Sequence, residues 1–230
     1  MTEKKFPLRR VRSFVRRDGR ITQAQKSAID ALWPSMGLQL EKGRCDFTEI
    51  FQRDAPRVLE IGFGSGHSFV EMAKAHPEQD FIGIEMHLPG IGAVFLAAQS
   101  HQLTNIRIYY ADAIEVLEQT IPPESLDVVQ IFFPDPWPKR RHHKRRLVQP
   151  TFIQLVASKL KQGGTLHLAT DWEDYAVEMM QVLSATESLI NLSGAGHYAN
   201  RSAQRPLITK FERRGCQEGR LIWELQFAKA

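Results

Sequence analysis

The stretch "RVLEIGFGSG", residues 57 to 66, decides the fold of this chain. It begins as a short apolar run of strand character and breaks into glycine at every second position, at Gly62, Gly64 and Gly66. A helical segment follows from Ser68 to Lys74, and the next apolar run, "DFIGIE", is again strand-like. A strand, a glycine turn, a helix and a second strand make a unit whose strands are parallel and whose crossover is right-handed.

The alternation continues downstream. Helices are expected over about Pro89 to Ser100, after Ala113, and over about Gln149 to Leu160, and between them lie the strands "NIRIYY", "LDVVQIFF" and "GTLHLAT". Two later apolar runs, near Leu189 and at "LIWELQF", suit a terminal antiparallel pair. The sum is an α/β fold: a mostly parallel seven-stranded sheet with a terminal antiparallel strand and helices on both faces. Upstream, Thr22 to Leu32 has helical spacing, and "WPSMGL" reads as a stop and a turn at Pro34 and Gly37.

A chain of 230 residues that is 43% hydrophobic has material for one core. We read a flexible basic N-terminal arm over residues 1–20 and a single domain over 21–230. The net charge of +4 conceals two concentrations of cations, one in the arm and one from Lys139 to Arg146. Two cysteines, Cys45 and Cys216, are too few for a disulfide framework, neither has metal-ligand spacing, and no metal site is expected. With no apolar stretch of signal-peptide or membrane-spanning length, a soluble cytoplasmic protein without membrane contact is expected, with no obligate protein partner, as a monomer or homodimer.

In open parallel sheets ligands bind beyond the C-terminal ends of the strands, so the residues that end the strands are the candidates. They are Glu60 with Gly62, Gly64 and Gly66, then Glu85, Asp112, Asp135 and Asp171. The spacing G-x-G-x-G departs from the G-x-G-x-x-G of dinucleotide sites, and an acid at Glu60 would repel a pyrophosphate. It suits a cationic ligand such as S-adenosyl-L-methionine. Glu85 is placed to accept ribose hydroxyls and Asp112 an adenine amino group, while the glycine spacing and Glu60 disfavour a nicotinamide oxidoreductase.

Residues 132 to 146, "FFPDPWPKRRHHKRR", put an acid between prolines, then Trp137, then a block of cations. Pro134, Pro136 and Pro138 restrict the backbone around Asp135. Trp137 either packs in the core or shapes a base pocket. The cations at the rim of such a site are those that bind nucleic-acid phosphates. Three readings remain at this point: an RNA methyltransferase acting on a ring nitrogen, one acting on an exocyclic amine, and an RNA-binding protein that keeps the fold without catalysis. Amine-methylating sites carry D-P-P before their aromatic residue, whereas Trp137 directly follows Pro136.

Taken together, "SFVRRDGR", "WPSMG", "LEIGFGSG", "FPDPWPKRRHHKRR", "ATD" and "TKFERRG" resemble the bacterial tRNA (guanine-N7-)-methyltransferases over nearly the whole chain. The resemblance implies a Rossmann-like class I methyltransferase fold and methyl transfer from S-adenosyl-L-methionine to N7 of guanine in the tRNA variable loop, at position 46. It implies that Glu60, Glu85, Asp112 and Asp135 bind the cofactor, with Asp135 also catalytic. Lys139, Asp171, Thr209, Lys210, Phe211 and Glu212 fall on the family's substrate-binding positions. Arg141, His142, His143, Lys144, Arg145 and Arg146 fall on its RNA-contacting loop. His143 stands where the family pattern carries asparagine, and "RPLITKFE" is one residue longer than R-P-x-T-K-F-E. Asp171 also has the reading of a helix N-cap, and "TKFERRG" that of a surface turn ending at Gly215.

Overall fold

Thr22 starts the first helix, because its hydroxyl accepts from Gln25 N (3.2 Å) while the Gln25 side chain accepts from Thr22 N (2.9 Å). The computed structural model describes residues 19–202, 205 and 208–230, with the backbone alone at Lys210 and Phe211. The N-terminal arm up to residue 18 and Pro206 lie outside the described residues.

Helix α1 (Gln23–Met36) does not stop before Pro34 as expected but runs through it. A proline in the last turn removes one helical donor, and the helix still closes with Gly37 N–H donating to Trp33 O. The two residues that follow form β1 (Gly37–Leu38), paired parallel to Ile108 and Tyr109. This edge strand makes the sheet eight-stranded, one more than the seven read from the sequence.

The remaining elements follow in chain order. After a 3-10 turn at Leu40–Lys42 come α2 (Phe47–Phe51), β2 (Arg57–Ile61), α3 (His67–Ala75), β3 (Asp80–Ile84) and α4 (Leu88–Ser100). Then come β4 (Ile106–Tyr109), α5 (Ala113–Gln119), β5 (Leu126–Phe132), a 3-10 helix at Arg140–Arg145, and α6 (Pro150–Lys159). The chain ends with β6 (Leu160–Thr170), α7 (Glu173–Ser184), β7 (Leu189–Asn191), α8 (Lys210–Gln217) and β8 (Trp223–Lys229).

The strand order is β1-β4-β3-β2-β5-β6-β8-β7, with every pair from β1 to β6 parallel and β8 antiparallel to both neighbours. Successive strand residues serve opposite faces. Leu59, Ile61, Ile82, Ile84, Val129 and Ile131 pack under α5, α6 and α7, while Val58, Phe81, Ile106 and Ile108 pack under α1, α3 and α4. The order reverses at β2, whose neighbours are β3 and β5, and a crevice opens beyond the C-terminal ends of those strands. No helix among the described residues is long and apolar enough to cross a membrane.

Candidate active site

A cavity of about 610 Å³ fills that crevice. Its floor is the turn after β2, where Gly62, Gly64 and Gly66 all take positive φ (78°, 58° and 74°). A side chain at Gly62 would meet nothing within 4 Å, so the backbone there is open to a ligand. Helix α4 starts against the turn's back. A Cβ on Gly90 would stand 1.8 Å from the Gly64 carbonyl oxygen. Gly90→Ala is therefore expected to cost about 1 to 3 kcal/mol of stability by forcing the turn and helix apart. Chemical denaturation measures it, and an unchanged midpoint would mean that α4 shifts freely.

Two carboxylates close the floor, and they differ. Glu85 is bound by the backbone: Oε2 accepts from Gly64 N (2.6 Å), and Oε1 from Met86 N (2.6 Å) and His87 N (2.9 Å). Burial lifts its carboxyl above the usual range more strongly than these donors lower it. It braces the glycine turn in addition to facing the cavity. Glu60 is 4% exposed, and its Oε2 has no hydrogen-bond partner among the described residues. Burial pushes its carboxyl up to about 8; Arg205 pulls the other way and Glu85 adds to the rise. A buried acceptor aimed into a cavity and left without a donor fits a ligand that brings a positive charge or a donor. S-adenosylmethionine brings both, so the residues present fit it.

Asp112, expected at the adenine, caps α5 by accepting from Ile114 N (2.9 Å), and its neighbours Ala111 and Ala113 line the cavity. On the opposite wall the chain leaves β5 in strained backbone. Phe133 (φ 51°) and Trp137 (φ 46°) both lie in the left-handed region that non-glycine residues avoid. Phe133 is held there by its N–H donating to Ala169 O (2.8 Å). Asp135, exposed between them, lines the cavity beside Pro134. Trp137 is packed from two sides, with the Arg145 guanidinium 4.9 Å from its ring and His142 edge-on at 5.9 Å.

The cationic block divides into two kinds of residue. Lys139, Arg140, Arg141 and Lys144 are exposed, and His142, His143 and Arg145 are half-buried. Arg146 departs from its expected role in facing RNA. Its side chain is 1% exposed, and it donates to Pro136 O (2.9 Å), to both oxygens of Asp174 (2.8 and 3.0 Å) and to Glu178. It also covers the Tyr175 ring at 4.7 Å. Arg146 thus anchors the far end of the block to α7. The sequence does carry a faint sign of this, since Asp174 and Glu178 are four residues apart on one helix face.

The C-terminal motif is a helix and not a surface turn. Thr209 caps α8, its hydroxyl accepting from Glu212 N (3.1 Å) while the Glu212 carboxylate faces Thr209 N (3.4 Å). Thr209, Ile208 and Arg213 line the cavity; sequence reading singled out only the first of them. Glu212 points inward, is 3% exposed and pairs with Arg201 and Arg205. Asp171 is not a helix cap, because Trp172 holds the N-cap position of α7; its carboxylate pairs with Arg220 (3.1 Å) instead. Asp171 and Lys139 do not line the cavity. Sequence reading also missed a buried ionic cluster of Arg205, Glu212, Glu224 and His167 behind Phe132 and Phe133.

The family model described as "Putative methyltransferase" matches residues 54–225. Among curated proteins, the chain is 56% identical over 220 residues to the tRNA (guanine-N(7)-)-methyltransferase of Idiomarina loihiensis, covering 96% of this chain and 89% of that one. It is 52% identical to the protein of the same name from Ectopseudomonas mendocina, covering 100% and 96%. A further relative of that name, from Klebsiella pneumoniae, is 53% identical with 97% and 93% covered. Among solved structures, the 16S rRNA methyltransferase KamB superposes with a TM-score of 0.59 at 14% identity, over 81% of this chain and 94% of that one. TrmN from Thermus thermophilus gives 0.53 at 17% identity, over 80% and 47%. At such identities these two structures carry the Rossmann-like methyltransferase fold alone.

Proposed function

The chain belongs to the tRNA (guanine-N(7)-)-methyltransferase family, and from that premise we propose how its own residues serve methylation of guanine N7 in tRNA. The observation that carries the reading is Glu60, a buried carboxylate with an unpartnered oxygen at the foot of an open glycine turn. S-adenosylmethionine, when bound, supplies a methyl group already activated on a sulfonium. Glu60 would offset the cofactor's positive charge, Glu85 would hold the turn in shape while facing the ribose side, and Ala111 to Ala113 would flank the adenine.

Guanine N7 carries a free lone pair at neutral pH, so no proton has to leave before the bond forms. Positioning therefore outweighs base strength. Asp135 would accept from the guanine N1 and N2 hydrogens and offset the charge that grows on the ring. Thr209, at the cavity edge, would meet the nucleoside. Lys139, Arg141 and Lys144 would take tRNA phosphates, and the acceptor would be position 46 in the variable loop. The protein would act in the cytoplasm.

Purified protein incubated with methyl-labelled S-adenosylmethionine and unmodified tRNA tests this, with the labelled nucleoside identified after digestion. Label in 7-methylguanosine, mapped to the variable loop by cleavage at the modified base, is the expected result. Label in a methylated adenosine or cytidine, or at another guanine, would overturn it.

A further inference from the structure

We propose that Arg205 is a positioning residue that ties the acceptor-side helix α8 and the cofactor floor to one buried guanidinium; this rests on the functional reading above. Arg205 is fully buried yet charged, a placement that is stable only with partners. Among the described residues it has two carboxylate partners: one arm of its fork donates to Glu212 in the first turn of α8 and the other to Glu224 on β8. Glu212 is also half of the capping box that begins α8 at Thr209, on the cavity edge. Glu224 is fixed in turn by His167 (2.8 Å) and by Ser202 N (3.1 Å). The helix start is thus fastened to β8 through one buried side chain, with the more exposed Arg201 as a second cation on Glu212 (2.8 Å).

The same guanidinium backs the cavity wall. It lies 4.9 Å from the centre of the Phe132 ring and 5.4 Å from that of Phe133, and both rings line the cavity on the path to Asp135. Removing it would leave the left-handed backbone at Phe133 with one support fewer.

It also reaches the cofactor floor. Strand register pairs Glu60 with Gln130 and Gln130 with His167, which sets three buried polar side chains in a row across one face of the sheet. Glu224 and Arg205 stand at the far end of that row, and the charge of Arg205 lowers the carboxyl of Glu60 against the effects of burial and of Glu85. A cationic ligand favours the ionised carboxylate. Cofactor affinity should therefore climb with pH and level off above about 8. Arg205→Met should move that profile to higher pH, whereas a purely structural loss would lower affinity equally at every pH.

The test uses wild type, Arg205→Lys and Arg205→Met, with S-adenosylmethionine, which carries the sulfonium charge, as the calorimetric probe in the absence of tRNA from pH 6 to 9.5, and kcat and KM for tRNA measured separately. The midpoint of the pH profile should rise by about one unit in Arg205→Met and stay near wild type in Arg205→Lys, which keeps the charge. KM for tRNA should rise about tenfold or more in both, since neither can fork to Glu212 and Glu224. An unmoved midpoint in Arg205→Met, or an unchanged KM in Arg205→Lys, overturns the proposal. Should Arg205→Met fail to fold, Arg205→Lys decides by its KM. The binding profile needs no methyl transfer, so a failure to label 7-methylguanosine would reject the functional reading and leave the role of Arg205 to the calorimetry. A wild type that does not bind S-adenosylmethionine overturns both.

Discussion

Asp135→Ala is expected to lower kcat by roughly 30- to 1,000-fold, equivalent to about 2 to 4 kcal/mol of barrier, with S-adenosylhomocysteine affinity changed far less. The carboxylate sits at the cavity edge on a backbone clamped by Pro134 and Pro136 and flanked by left-handed Phe133 and Trp137. Such strain persists only where surrounding contacts overdetermine it, and here they do: Ala169 O holds Phe133, Arg145 and His142 pack Trp137, and Arg146 grips Pro136. A group preorganised this way costs little reorganisation during reaction. Single-turnover rates at saturating cofactor and tRNA give the number directly. Near wild-type turnover with intact cofactor affinity would remove Asp135 from the chemistry. A loss confined to cofactor affinity would reassign it to the cofactor alone.

The course of the sheet was legible because period and punctuation agree there. Short apolar runs alternate with helical spacing, and glycines mark the turn where φ is positive, so the crevice follows from strand ends, as do Glu60, Glu85 and Asp135 at it, while Asp112 and Asp171 do not line the cavity. What failed was local or long-range. Pro34 read as a stop, yet a proline in a last turn removes one donor and leaves the helix intact. Gly37 and Leu38 are too few to show a period, so the edge strand was invisible. The second reading of Asp171, as a cap where "DWED" begins a helix, fails because Trp172 takes that position. Arg205 and Glu224 are separated by 19 residues and meet only once β8 has joined β6, a pairing no local pattern specifies.

The block from Lys139 to Arg146 shows the same limit most sharply, because sequence gives eight adjacent residues one character while the fold gives Arg146 another. Arg146→Met is expected to destabilise the protein by about 2 to 4 kcal/mol, since it breaks a hydrogen bond to Pro136 O and leaves two carboxylates without their cation. The cost stays below that of a fully buried pair because the side chains of Asp174 and Glu178 are 52% and 28% exposed and regain water. For a domain of this size the melting temperature should fall by about 5 to 15 °C. Arg141→Ala combined with Lys144→Ala, both at exposed positions, should instead leave melting unchanged and reduce the slope of log affinity for tRNA against log salt by about two. If Arg146→Met melted like wild type and took about one from that slope, Arg146 would be a phosphate contact after all. The opposite pattern would mean that the block presents its cations to RNA because its last arginine is turned away from it.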